Sequence, residues 1–198
     1  MSDYRDIFRK PETKNWFKAA IGMKITRDCL LDIVKEATQA FYHAIRKEIN
    51  RKHGILENSV CSQCHTPNVL PCETNNKCCT YRKCVFHKIH KPLNCPSNNL
   101  CNSICKEIVS HHRFRNCSNS HSFQGPTWVY TEASKWCVQS WQIARCYLSN
   151  DGYKDVNQAE DADFNGIVNV IYNCEFFQRY FKDDLTQKEN ICTKVIQV

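Results

Sequence analysis

The stretch "LLDIVKEATQAFYHAIRKEIN", residues 30–50, carries the clearest helical pattern in the chain. Its apolar residues recur at spacings of three and four, which places them on one stripe of an α-helix. They are Leu30, Ile33, Val34, Ala37, Phe41, Ala44, Ile45 and Ile49. Thr26 or Asp28 suits the start of this helix and Gly54 suits its end. The sequence therefore predicts a long amphipathic helix, with a shorter helical segment, "ETKNWFKAAIGM", packed against it.

Similar patterns return in the second half of the chain. They occupy "NLCNSICKEIVSHHRF", "EASKWCVQSWQIARCYL" and "AEDADFNGIVNVIYNCEFFQRYF", and a last helix is expected from Asp183 or Asp184 through Val195. Between the two halves, residues 55–101 lose this periodicity and accumulate asparagine, proline, cysteine and histidine. We therefore predict an all-α helical bundle over residues 12–198, interrupted by a loop-rich insert at residues 55–101. Residues 1–11 are expected to form a flexible N-terminus.

The insert contains a duplicated spacing of cysteines. Residues 61–78, "CSQCHTPNVLPCETNNKC", and residues 84–101, "CVFHKIHKPLNCPSNNLC", both follow C-x2-[C/H]-x7-C-x5-C. Each copy also has Asn-Asn shortly before its last cysteine. A two-residue gap lets two ligands converge from one tight turn, and His87 in the place of Cys64 favours metal binding over a disulfide. The pattern therefore predicts structural zinc, about two ions per chain.

The duplicated copies suggest two tetrahedral sites. The first would comprise Cys61, Cys64, Cys72 and Cys78, and the second Cys84, His87, Cys95 and Cys101. An interleaved arrangement of the same eight residues is an alternative, and Cys79 could take the place of Cys78. Further substitutes elsewhere are His65, His90, Cys105, His111 and His112. Four protein ligands leave no open position for substrate, so the predicted role is structural.

The rest of the composition favours an intracellular protein. The start, "MSDYRDIFRKPETKNW", lacks the apolar stretch of a secretory signal, and no apolar run is long enough to span a membrane. In a reducing cytoplasm, the 15 cysteines are more consistent with metal ligands than with disulfides. A secreted disulfide-rich protein is the least favoured alternative. The cysteines within helical patterns are expected to be buried; these are Cys29, Cys137, Cys146, Cys174 and Cys192.

The net charge of +7 permits binding to an anionic partner such as RNA. Basic residues without intervening acids cluster in the insert, at Lys77, Arg82, Lys83, Lys88 and Lys91. We treat them as candidate nucleic-acid contacts, although a solvated surface accounts for the same cluster.

Three segments together resemble a known domain. They are "KNWFKAAIGMKITRDCLLDIV", "CKEIVSHHRFRNCSNSH" and "ASKWCVQSWQIARCYL". They resemble the HEPN-like domain of the DAZ-interacting zinc-finger ubiquitin ligase family, which occurs in proteins of innate-immune character. They also resemble a mammalian family named for its X-chromosomal reading frame. The resemblance covers most of residues 12–198.

This resemblance implies a helical bundle that binds RNA or protein. HEPN domains that cleave RNA use an Arg and a His four to six residues apart, often with Asn after the Arg, in a site usually shared by two subunits. Arg115, Asn116 and His121 match that pattern, as does the looser pair of Arg82 and His87. We expect a cytoplasmic binding module that contacts a protein or RNA in innate immune signalling. The alternatives are a homodimeric ribonuclease, or a fragment of a ubiquitin ligase whose RING module lies beyond Val198.

Overall fold

A computed structural model describes residues 9–70, 94–114 and 125–196. This part of the chain is all-α, as predicted, and its one β-type pairing is the isolated bridge between His112 and Cys174. The α-helices are α1 (Pro11–His53), α2 (Thr66–Val69), α3 (Leu100–Ser110), α4 (Ser140–Ala144), α5 (Phe164–Asn173) and α6 (Ile191–Ile196). Short 3₁₀ helices occupy Ala133–Lys135, Arg145–Tyr147, Ala159–Asp161 and Glu175–Tyr180.

The second half of α1 lies at the centre of the fold. Most of its predicted stripe is buried, from Val34 to Ile49, whereas Leu30, Ile33 and Ala44 are partly buried. The helices α3, α4 and α5 pack around it. Phe41 is 1% exposed, and its ring centroid lies 5.0 Å from that of Phe176 and 5.9 Å from that of Tyr147. On α3, the predicted stripe of Leu100, Ile104 and Ile108 is completely buried. The regular apolar spacing therefore identified the core helices correctly.

The prediction of two helices before Gly54 was wrong, because α1 is one continuous helix of 43 residues. Thr26, proposed as a cap, donates its hydroxyl to the Gly22 carbonyl one turn earlier. Asp28 pairs instead with Lys24 and Arg27 on the helix surface. Both polar side chains are satisfied within a helix, so neither ends it. Gly54 does end it, with a left-handed φ of 66°.

The segment at residues 132–148 is not the single helix that its pattern predicted. It folds as a 3₁₀ turn, the short helix α4 and a second 3₁₀ turn. Buried side chains compete with the helical backbone here: the Trp136 indole donates to the Thr131 hydroxyl at 2.7 Å, and the Gln142 amide oxygen accepts from the Glu132 N–H. Cys137, which the pattern placed in the core, is nevertheless buried.

The predicted helix at residues 159–181 ends early. Asp163 caps α5 by accepting from the Gly166 N–H at 2.7 Å, but the helix ends at Asn173. There the backbone turns outward to pair with the segment after α3, where the Arg113 N–H donates to the Asn173 carbonyl. The last helix begins at Ile191, later than predicted. The early end of α5 thus coincides with a contact between distant segments.

Two further expectations can be compared with the described residues. Within these ranges, no helix is long and apolar enough to cross a membrane. Of the helix cysteines, Cys137, Cys146, Cys174 and Cys192 are buried as expected. Cys29 is exposed, and that prediction was wrong, because it lies on the side of α1 away from the buried stripe.

Candidate metal centre

Four buried cysteines meet where the insert joins the helical body. The Sγ atoms of Cys61, Cys64, Cys95 and Cys101 all lie within 4.8 Å of one another. Each side chain is at most 4% exposed. The Sγ atoms of Cys61 and Cys64 are 3.6 Å apart, far beyond the disulfide bond length of about 2.05 Å. A tetrahedron with Zn–S bonds of about 2.3 Å has S–S edges of about 3.8 Å. The four sulfurs therefore have the spacing of a tetrathiolate metal site.

The first pair of cysteines lies in the loop before α2. Thr66, the first residue of α2, fixes this loop: its hydroxyl donates to the Thr131 carbonyl at 2.8 Å and accepts from the Ala133 N–H at 2.9 Å. The Ser97 hydroxyl donates to the Val60 carbonyl and so joins this loop to the one that carries Cys95. The two-residue spacing of the motif thus becomes a tight turn supported from both sides.

The second pair lies at the start of α3. Asn98 and Asn99 both adopt left-handed backbone conformations, with φ of 51° and 60°, and asparagine tolerates this region better than most residues. Their turn brings the chain back so that the Asn99 N–H bonds to the Cys95 carbonyl at 3.0 Å. Cys101 then projects from the first turn of α3. The Asn-Asn pair in the motif thus closes the five-residue gap between Cys95 and Cys101.

The grouping joins the first two cysteines of one predicted copy to the last two of the other. It corresponds to the interleaved alternative, in which the ligands of the two copies are exchanged. Cys72, Cys78, Cys84 and His87 lie outside the described residues, so a second site made from them stays a prediction. Cys79 and His90 lie outside them too.

The proposed substitutes that the structure describes are not part of this group. His65 is exposed, and His112 stacks on Tyr147 with its Nδ1 accepting from the Phe114 N–H. His111 places its Nδ1 at 2.9 Å from the Glu107 carbonyl. Cys105 is buried one turn after Cys101 but does not belong to the cluster. The ligand set in the described residues is therefore all cysteine.

A fifth thiol and a buried arginine lie beside the cluster, and the sequence patterns identified neither. Cys137 is 4% exposed and hydrogen-bonds with Cys101. This hydrogen bond, together with the backbone N–H of Cys61 and the Arg46 guanidinium, lowers the pKa of Cys137 despite its burial. Cys137 matched the apolar pattern of a helix, so nothing in its spacing marked it as a neighbour of the site.

Arg46 is only 2% exposed and has no carboxylate partner among the described residues. Its Nε donates to the Glu57 carbonyl at 3.0 Å, and its Nη2 donates to Glu57 and Ser59. Its Nη1 has no hydrogen-bond partner in that part of the chain. A buried cation requires a compensating anion. The Arg46 guanidinium acts on the thiol of Cys137, whose pKa it helps to lower, so its positive charge favours the ionised form of that thiol.

Without a bound cation, the pKa values of the clustered thiols shift in different directions. Burial raises the pKa of Cys61, but the Gln63 N–H and neighbouring side chains outweigh it and lower the pKa overall. Burial and the adjacent thiols raise the pKa of Cys64. The hydrogen bond with Cys137, together with burial, raises the pKa of Cys101. Ionisation of one thiol therefore opposes ionisation of the next, and a bound divalent cation would stabilise all four as thiolates.

The other predicted site residues lie outside the described part of the chain. These are the candidate catalytic residues Arg115 and His121, and the candidate nucleic-acid contacts Lys77, Arg82, Lys83, Lys88 and Lys91. Their proposed roles stay predictions from sequence.

Comparison with known proteins gives a family but no activity. Residues 55–197 match a family model described as a domain of unknown function (DUF4559). Neither the curated proteins nor the solved structures contain a match to the chain. The match includes all four clustered cysteines, whereas α1 precedes it. The resemblance to HEPN-like domains stays a prediction.

Proposed function

We propose that the chain, which belongs to the family described as a domain of unknown function (DUF4559), is a binding module stabilised by zinc. The observation that carries this proposal is the buried group of Cys61, Cys64, Cys95 and Cys101. Sulfur-only tetrahedral ligand sets are typical of structural zinc. Four protein ligands leave no position for a substrate, so the metal stabilises the fold and presents a binding surface.

In this proposal the metal ion holds the insert in place, and the insert supplies the binding surface. Residues 65–94 lie between the two halves of the ligand set, so a metal ion would close them into one loop. Closing a loop of this length costs the unfolded chain roughly 3–4 kcal/mol of entropy, which metal binding must offset. The free energy of binding a structural zinc ion is on the order of 10 kcal/mol and is sufficient.

Metal content tests this proposal directly. We expect zinc in freshly purified, reduced protein by elemental analysis and native mass spectrometry, with about two ions if the remaining four ligands form a second site. The Cys101→Ala variant should lose the ion held by the described cluster, whereas Cys105→Ala should keep it. The control is closely matched, because both cysteines are buried on α3. Wild-type protein without metal would refute the proposal.

RNA is the partner that the charge of the insert favours. Five basic residues lie between Lys77 and Lys91 without an intervening acid. Binding should weaken as salt rises, and it should weaken when Arg82 and Lys83 are reversed to Glu. It should also require the metal, so Cys101→Ala should reduce it and Cys105→Ala should not. Equal RNA binding by wild type and the charge-reversed variant would exclude this surface.

Catalysis is the alternative that the Arg115 and His121 pattern raises. We expect little or no RNA cleavage, because an Arg and a His at this spacing occur easily by chance in a short polar sequence. Substantial cleavage that disappears in Arg115→Ala or His121→Ala would establish the ribonuclease alternative instead. Ubiquitin ligation would require a RING module in a longer parent protein.

A further inference from the structure

Cys137 lies beside the four clustered cysteines but is not one of them. It belongs to the turn between the 3₁₀ helix Ala133–Lys135 and α4, where the Val138 N–H donates to the Lys135 carbonyl at 3.1 Å. The Tyr42 hydroxyl, on α1, donates to the carbonyl of Cys137 itself. Hydrogen bonds from the turn and from a second element therefore fix the position of Cys137.

This position brings the thiol of Cys137 against that of Cys101. The Cys101 Sγ lies 3.8 Å from the carbonyl oxygen of Ala133, at the start of the same turn, and it hydrogen-bonds with Cys137. Two sulfurs in hydrogen-bond contact are close enough for side-chain rotation to bring them to the disulfide bond length of about 2.05 Å. Cys101 therefore has two possible partners, a metal ion and a fifth thiol.

A bound metal ion would leave Cys137 as the available nucleophile among these five thiols. The four ligand sulfurs would each share an electron pair with the ion, whereas the Cys137 sulfur would keep its own. Cys137 also lies just below the surface: it is 4% exposed and the next residue, Val138, is 64% exposed. The thiols of Cys146 and Cys174 are completely buried. A small neutral oxidant such as hydrogen peroxide would thus reach Cys137 before those core thiols.

We propose that Cys137 is a redox modification site, and that a peroxide acting on it releases the metal ion through a disulfide between Cys137 and Cys101. The inference rests on the proposed zinc site. In the first step, the Cys137 sulfur attacks one peroxide oxygen and the O–O bond breaks. The hydroxide that leaves takes the thiol proton and becomes water, and Cys137 becomes a sulfenic acid.

The second step uses Cys101. Its metal-bound thiolate attacks the sulfenic sulfur of Cys137, so that the S–S bond forms, the S–O bond breaks and hydroxide leaves. The two sulfurs together lose two electrons, and the peroxide gains them. The metal ion then has three cysteine ligands where a structural zinc ion requires four, so its binding weakens. A thiol reductant would regenerate both thiols and the site.

Hydrogen peroxide added to the zinc-loaded chain tests the proposal. A metallochromic indicator follows zinc release, and peptide mass spectrometry locates the disulfide. Wild type should release zinc as a Cys101–Cys137 disulfide forms, and dithiothreitol with added zinc should restore the bound ion. Cys137→Ser keeps a hydrogen-bond donor beside Cys101 but cannot form the disulfide, so it should release zinc about tenfold more slowly. Cys105→Ala should release zinc as fast as wild type, because Cys105 lies outside the cluster.

The possible failures of this inference and of the proposed function differ. Freshly purified protein without zinc would refute both. Zinc-loaded wild type that forms its disulfide within the ligand set, such as Cys61 with Cys64, would refute the inference and leave the zinc site standing. Equal release rates for wild type and Cys137→Ser would do the same. If Cys137→Ser does not fold, the disulfide located in oxidised wild type decides the question.

Discussion

Cys101 and Cys105 lie one turn apart on α3, and both are buried, but they belong to regions stabilised in different ways. Cys101 joins three other thiols, with Cys137 nearby, in a group that could hold a metal ion. Cys105 lies in the helical core, where burial raises the pKa of its thiol to about 12 and keeps it neutral. The comparison teaches that two buried thiols one turn apart can have different roles: Cys105 packs in the helical core, whereas Cys101 belongs to a group that could hold a metal ion.

Of the changes considered, metal removal should produce the largest difference in stability between the cysteine region and the helical core. A chelator added to reduced protein should remove binding free energy on the order of 10 kcal/mol from the cysteine region. Hydrogen exchange should accelerate around Cys61–Cys64 and the turn at Asn98, because the four cysteines of these two segments would no longer share a bound ion. Amides of α1 near Phe41 and of α5 should keep most of their protection. Equal acceleration in both regions would show that the chain is one metal-dependent unit.

The Phe41→Ala variant should weaken the helical core and leave metal binding by the cysteine region unchanged. Removing a fully buried phenylalanine from the contact of α1 with Tyr147 and Phe176 should lower the free energy of unfolding by about 3–5 kcal/mol. Urea denaturation measures this loss. Zinc content of the folded protein should not change, because Phe41 is not a ligand. Loss of zinc at urea concentrations where the protein is still folded would contradict the separation of the two regions.

Arg46→Met tests the link between the regions. Losing the buried positive charge should speed zinc transfer to a chelator by about 10–100-fold, as is typical for groups that support metal ligands. Arg46→Lys keeps the charge but loses the fork of hydrogen bonds to Glu57 and Ser59, so it should restore part of the retention. The two variants are compared at equal folded fractions. If Arg46→Met and Arg46→Lys release zinc at the same rate, Arg46 acts only through packing.

Trp16→Ala should have the smallest effect on stability. Because Trp16 is 66% exposed near the start of α1, its removal should change the free energy of unfolding by less than about 0.5 kcal/mol, in contrast to Phe41 on the same helix. Urea denaturation of the two variants side by side measures the difference. A loss of more than about 2 kcal/mol would mean that the start of α1 packs against the body in solution, because only substantial burial gives losses of that size.

The candidate site was predictable in part. The spacing of the cysteines and the His87 substitution indicated metal ligands, because ligand geometry constrains sequence spacing. The exchange of pairs between the copies was left open, since both arrangements use the same residues. Arg46 and Cys137 were missed because a buried arginine on α1 and a cysteine at an apolar position carry no metal motif.

The sequence by itself determined the helical class, the buried stripe of α1 and the residue type of the candidate metal ligands. These depend on local periodicity and on ligand chemistry, and both can be read from the spacing of neighbouring residues. Tertiary structure alone decided that the segment near Trp136 divides into short turns and that Cys64 lies close to Cys95. Each depends on which distant groups satisfy buried hydrogen bonds or share a ligand set, and such pairings have no local signature.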